Sequence, residues 1–245
     1  MQVSYVSEAT PGQENEDFVA AGPGWVVLLD GATAPAGVDS GCRHNPAWLV
    51  RRLGGQIAAL LALEDGKPLP DMVAEAIKVT GEAHTATCDL RNPDSPSATV
   101  SLLRRRDDVV EWFVLADSPI VVDVGEVRVF RDDRLDHLPS YTLEGVRKAR
   151  NSPGGFWVAS TRPEAAYEGL TGEVPVAGLR RVAVLSDGAS RLVERFGELD
   201  WDGLLRVLDE EGPRELVRRT RRTEASATSL RGKRHDDATA VLVRF

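Results

Sequence analysis

The order of elements along the chain predicts an α+β fold in which antiparallel sheets carry helices on their outer faces. Two observations lead to it. Valine-rich apolar runs closed by Gly, Asp or Pro follow one another with few helices between them, whereas a doubly wound parallel fold needs a helix at each crossover. The clear three- and four-residue periodicity is concentrated in two early segments, which read as a helix pair set between strands. With 245 residues, 42% of them hydrophobic, the chain can bury a sizeable core. Its linker-like stretches, 92–97, 151–155 and 225–233, are short, so one domain over residues 1–245 is expected.

Strands are expected at 18–21, 25–29, 99–103, 109–115, 120–124, 127–130, 156–159, 182–185 and 238–243, where branched side chains suit a half-buried pleat. Gly125-Glu126 suits a two-residue hairpin turn with glycine first. The first helix should start at Asn45 as N-cap and Pro46 in the first turn, and run to about Leu63 with Leu49, Leu53 and Ile57 on its apolar face. Asp71 can cap the second, after a break formed by Gly66, Pro68 and Pro70. The two helices form an antiparallel hairpin in this reading. Shorter helices are expected at 143–151, 190–196, 202–210 and 214–224.

Thirty Lys plus Arg against 38 Asp plus Glu leave a formal charge of −8, which argues against nucleic acid or an anionic membrane as partner. No apolar run is long enough to span a bilayer, and MQVSYVSEAT lacks the regions of a secretory signal, so a cytoplasmic location is expected; a monomer is expected as well. The position of the acids is more informative than their number. Glu16-Asp17 precedes an apolar run, Asp30-Gly31 and Asp187-Gly188 each close one, and Asp236-Asp237 opens the last. A single Asp-Gly is usually a turn, as expected at Asp65 and Asp202. Acidic strand ends converging from distant regions would instead suit hard divalent ions, which favour oxygen ligands.

The ordered set Asn15-Glu16-Asp17, Asp30-Gly31, Pro96-Ser97-Ala98-Thr99, Ala116-Asp117-Ser118, Ser186-Asp187-Gly188 and Asp236-Asp237-Ala238-Thr239 resembles the metal-dependent protein phosphatase (PPM, or type 2C) family, in particular its short bacterial members. The resemblance implies a four-layer α-β-β-α sandwich with two Mn²⁺ or Mg²⁺ ions at one end of the sheets. By motif, Asp30 would bridge both ions, Glu16 and the Gly31 carbonyl would hold one, and Asp187 and Asp236 the other. Asp17 would assist metal-bound water, with Asp237 in a place usually taken by Asn. The implied reaction is hydrolysis of phosphoserine or phosphothreonine in a phosphoprotein, or of a small phosphoester, by a bridging hydroxide.

Three departures qualify that implication. The family's phosphate-binding Arg position is Gly12; Ala32-Thr33-Ala34-Pro35 replaces the usual Gly or His cluster; and Arg191 stands where a third-ion acid would accompany Asp117. Two ions are therefore expected, with Arg43 or Arg191 as candidate phosphate-binding cations and His44 as candidate general acid. The alternative is a pseudo-phosphatase that acts as a binding or regulatory module. Cys42 and His44 precede the first helix, while His84 and Cys88 end the second, so an antiparallel pair of about 18 residues each would bring them together. Ordinary packing, a zinc site and a Cys42 to Cys88 disulfide are the three readings of that cluster.

Overall fold

A computed structural model describes residues 1–32, 37–63, 66–227 and 233–245. The Asp65 turn, Thr33-Ala34-Pro35 and positions 228–232 of the last linker lie outside the described residues. Among those described, the strands form two sheets. One runs in the order β2 (Asp17–Ala21), β3 (Trp25–Ala32), β5 (Val100–Arg106), β6 (Val109–Leu115) and β9 (Leu170–Pro175), with short β4 (Ser97–Ala98) paired to the end of β3. The other runs β1 (Gln2–Glu8), β11 (Ala238–Arg244), β10 (Arg181–Leu185), β7 (Ile120–Asp123) and β8 (Val127–Phe130). The pairings within both are antiparallel.

Alternation along β3 builds the layers. Val26 and Leu28 pack with Val182, Val184, Val241 and Val243 of the second sheet. Val27 and Leu29 point the other way, onto Val50, Leu53 and Ile57 of α1 (Pro46–Ala62) and Met72, Val73 and Ile77 of α2 (Leu69–Glu82). The second sheet turns Val121, Ala183 and Leu185 outward, onto α4 (Asp187–Glu194), α5 (Trp201–Glu210) and α6 (Pro213–Ser226). The result is helix, sheet, sheet, helix. Each fully buried Val or Leu in these interfaces contributes about 1.5–3 kcal/mol. The short α3 (Leu143–Ala149) lies in the long connection from β8 to β9 and helps cover a smaller apolar cluster of Leu138, Phe156 and Val158.

Several boundaries differ from expectation, each for a local reason. Asn45 caps α1 as its side chain accepts from Trp48 N at 2.9 Å, but α2 starts at Leu69, so Asp71 sits in the first turn instead of capping it. The β7–β8 connection contains three residues, because Asp123 pairs with Val127 and the Asp123 side chain accepts from Gly125 N at 3.0 Å. Residues 156–159 form only isolated bridges, Ala98 with Ala159 and Arg150 with Phe156. Strands β1 and β9 were not expected; both are edge strands whose exposed positions dilute the apolar signal. Helix α4 begins at Asp187, three residues before the expected start.

Candidate active site

Strand pairing puts the first two acids side by side, since Asp17 on β2 is directly opposite Asp30 on β3. The end of β3 continues through Asp30 and Gly31 because β4 and its neighbours hold it there. Asp30 N donates to Thr99 Oγ1 at 3.1 Å, Thr99 N donates to the Asp30 carbonyl at 2.9 Å, and Gly31 pairs with Ala98. Thr99 is held in turn through a 2.7 Å hydroxyl contact with Ser118. Gly31 must be glycine, because a Cβ there would come within 2.6 Å of the Glu16 carbonyl that accepts from Gly31 N. Glu16 is thereby kept next to Gly31.

The last two acids arrive from the other sheet. Asp187 opens α4 directly after β10, and its N–H lies 3.3 Å from Asp30 Oδ2. At Gly188 a Cβ would fall 1.9 Å from the Asp237 carbonyl, so the start of α4 lies directly on the approach to β11. Asp237 itself is buried and accepts from Thr10 N and Glu16 N at 2.6 Å each. It fixes the turn that carries Glu16.

These contacts bring Asp30, Asp117, Asp187 and Asp236 to the wall of a single cavity of about 290 Å³, which Gly31, Thr99, Lys233 and Arg150 also line. Burial and the neighbouring negative charges of Asp17, Asp187, Asp117 and Asp236 raise the Asp30 carboxyl well above its ordinary range. Asp187 reaches solvent at the mouth but is closely surrounded by protein; that surrounding, then Asp236 and Asp117, pushes it up to about 6. Burial also pushes Asp17 up to about 7, against hydrogen bonds from Thr239 and Ser186. Its Oδ2 accepts from Thr239 Oγ1 at 2.7 Å, while its buried Oδ1 has no hydrogen-bond partner. Crowded acids and an orphaned carboxylate oxygen fit a cation, whose charge would balance theirs.

Three expected residues lie elsewhere. Arg191 is buried on the protein side of Asp236, donating to Glu224 Oε1 at 2.6 Å and to Asp236 Oδ2 at 2.9 Å. It is not a free phosphate-binding cation, because Glu224, also buried, needs its charge, with Arg221 and His235 at 2.9 Å and 2.7 Å on the other oxygen. Arg43 is exposed and does not line the cavity. His44 stacks on Trp48 at 3.9 Å and turns Nδ1 toward Cys88 Sγ, away from a general-acid position in the cavity.

Two cations that do line the cavity escaped the sequence reading. Lys233 Nζ is 3.3 Å from Asp236 Oδ1; burial opposes its charge, but Asp236, Asp187 and Asp30 outweigh that and raise its pKa. Arg150 is half-buried with no carboxylate in salt-bridge range among the described residues, and burial lowers its pKa. Its Nη groups donate to the Pro93 carbonyl at 2.8 Å and to Ser97 Oγ at 2.5 Å, and its buried Nε has no partner. Lys233 could have been found by its position three residues before Asp236. Arg150 sits at the C-cap of α3, where no local pattern announces it.

Ala116, just before Asp117, adopts φ +68. Alanine pays roughly 1–2 kcal/mol for that left-handed conformation, and the close packing of Ser118 next to it holds the backbone there: Ser118 is fully buried and its carbonyl accepts from Ser101 Oγ at 2.6 Å.

The family model described as Protein phosphatase 2C matches residues 6–220. The chain belongs to the protein phosphatase 2C family. Similar solved structures include the serine/threonine phosphatase Stp1 from Staphylococcus aureus, at 12% identity and TM-score 0.64 over 100% of this chain and 94% of that one. The Mycobacterium tuberculosis serine/threonine phosphatase PstP/Ppp is similar at 21% identity and TM-score 0.60, over 98% and 97%. PppA from Pseudomonas aeruginosa is similar at 18% and 0.62, over 99% and 96%. At those identities the likeness is one of fold, and it is the four-layer phosphatase fold. Comparison with curated proteins gives no match. No described helix is long and apolar enough to cross a membrane.

Proposed function

We propose that the chain is an active metal-dependent phosphatase acting on phosphoserine or phosphothreonine in proteins, or on a small phosphoester. The observation that carries this reading is the convergence of Asp30, Asp187 and Asp236 on one cavity with Asp17 and Glu16 beside it, a set of oxygen donors that suits Mn²⁺ or Mg²⁺. Asp30, Glu16, the Gly31 carbonyl, Asp187 and Asp236 are the residues that would hold such ions. When bound, such ions neutralise phosphate charge and make water nucleophilic near neutral pH.

The chain's own groups supply the rest. Asp17 stands opposite Asp30 behind the cavity wall, with Oδ1 unpartnered and Oδ2 fixed by Thr239, and would steady the acids that line the cavity. Arg150 and Lys233 would take the phosphate-binding role that Gly12 does not fill: Gly12 lies in an exposed turn with φ +79, a conformation that would strain an arginine there. Arg150 is already desolvated and held by Ser97 and Pro93, so its orientation costs little on binding. Arg191 keeps Asp236 in place from behind.

A second reading, a pseudo-phosphatase with a binding or regulatory role, draws support from Asp236. Both its oxygens already meet cations, Arg191 and Lys233, which compete with a metal ion for that carboxylate. Hydrolysis of p-nitrophenyl phosphate and a phosphothreonine peptide with Mn²⁺, compared with Asp187→Ala, decides between them. Turnover no greater than the variant's sinks the enzymatic reading; calorimetric binding of Mn²⁺ without turnover supports the second.

A further inference from the structure

Cys42, His44, His84 and Cys88 take no part in the acidic cavity, yet they form a constellation of their own. Residues just before α1 supply the first two and the turn after α2 supplies the others, and their four ligand atoms lie within 4.8 Å of one another. Cys42 Sγ is 3.5 Å from His84 Nδ1 and 3.7 Å from His44 Nδ1, while Cys88 Sγ is 3.4 Å from His44 Nδ1. Bonds of about 2.3 Å to sulfur and about 2.05 Å to nitrogen in a tetrahedron put ligand sulfur and nitrogen about 3.6 Å apart. The three observed distances bracket that value.

The surroundings fit the same geometry. His84 is buried with no partner for Nε2, so the direction of its ring is accounted for by Nδ1 facing the sulfurs. Arg43 N donates to Cys88 Sγ at 3.3 Å, a bond that favours the thiolate over the thiol. The indole of Trp48 stacks on His44 and lies 5.0 Å from the His84 ring, covering the group on one side. The two sulfurs are 2.7 Å apart, against about 3.8 Å around a tetrahedral ion. Rotating the two side chains apart would open that space.

We infer that Cys42, His44, His84 and Cys88 form a structural zinc site of the Cys2His2 type. Two thiolates with two imidazoles select zinc over the hard ions that suit carboxylates. The protein fills all four positions and leaves none for water or substrate, which makes the site structural instead of catalytic. The ion ties the start of α1 to the end of α2. Because Pro46, the first residue of α1, lies against Gly31, that tie also steadies the backbone at the mouth of the acidic cavity. The inference stands apart from the phosphatase reading.

The test is elemental analysis of protein purified without chelator, combined with intact mass and thiol titration after denaturation in chelator. The expected result is about one zinc per chain, two titratable thiols and the mass of the fully reduced chain. Cys42→Ser and His84→Ala should each bring zinc to background, while Asp187→Ala, in the other cavity, retains it. Since either cluster variant could fail to fold, wild-type protein loaded with cobalt gives an independent readout, with thiolate charge-transfer and tetrahedral ligand-field bands. Two free thiols with no zinc and no cobalt bands overturn the inference. So does a mass lower by two hydrogens with no thiols, the signature of a Cys42–Cys88 disulfide. Zinc that leaves with Asp187→Ala and stays in His84→Ala also overturns it, by locating the ion among the acids.

Discussion

The acidic cavity and the cysteine-histidine cluster solve a similar problem in opposite ways. Each gathers donors from distant parts of the sequence near the same end of the helix pair and β3. The cavity uses carboxylates, opens to water, and crowds Asp30, Asp117, Asp187 and Asp236 with Lys233 as the cation on their exposed side. The cluster uses sulfur and nitrogen and is covered by Trp48. The cluster brings together no carboxylates, so packing its side chains does not crowd acids against one another. Crowded carboxylates repel one another, and the folded chain bears that repulsion. A water-accessible site is suited to chemistry, and one whose four positions are all filled by protein ligands to holding structure.

Five measurements would break or sharpen this contrast. The largest effect is expected from the cavity: Asp30→Asn or Asp187→Ala should lower Mn²⁺-dependent kcat/KM by roughly 100-fold or more, since outer-shell substitutions at metal sites already cost 10–100-fold. Retention of activity within a factor of a few would remove both residues from the mechanism. Next, Mn²⁺ at about 100 times its Kd should raise Tm by about 5–10 °C over chelated protein, from about 2.7 kcal/mol of linkage. The chelated protein should also show a pH slope. Asp17 at about 7 and Asp187 at about 6 both lie above the ordinary 3.8, so the folded chain binds the extra protons in that window. Stability from these groups is therefore complete below about pH 4 and is lost as pH rises to about 7. Comparing wild type with Asp17→Asn isolates it from His84, whose lowered pKa acts in the other direction; identical slopes would count against the assignment.

The fourth expected effect is smaller. Arg150→Ala should raise KM for a phosphopeptide about tenfold with a lesser change in kcat, the worth of a hydrogen bond to a charged group. An unchanged KM would return the phosphate-binding role to another residue. The smallest effect is at Arg43, where the Ala variant should leave KM within a factor of two, since the side chain is exposed and does not line the cavity. A tenfold rise there would restore the expectation drawn from sequence proximity.

Much of the fold and most of the acids were legible because both are written in local pattern. Val26 to Leu29 alternate between two apolar surfaces, and Asp30 and Asp187 interrupt apolar runs where a strand must end. Asn45-Pro46 carries its own capping chemistry. What the pattern omits is tertiary. Arg150 reaches the cavity only because Ser97 and the bridge to Phe156 hold the end of α3 beside β4. Arg191 looked available beside Asp187 because its true partner, Glu224, is 33 positions away on α6. Strands β1 and β9 were missed because edge strands with one wet face dilute the period-two signal. His44 was expected as a candidate general acid, but its Nδ1 turns toward Cys88 instead.

The placement of β11 also orders events in time. It is made last among the described strands, yet it lies between β1 and β10 in its sheet, and Asp237 at its threshold holds the amides of Thr10 and Glu16. A ribosome that has reached only residue 230 displays Glu16, Asp30 and Asp187 without the clamp that brings them together. The acidic cavity is therefore completed as a single late event, after Asp236 and Asp237 emerge.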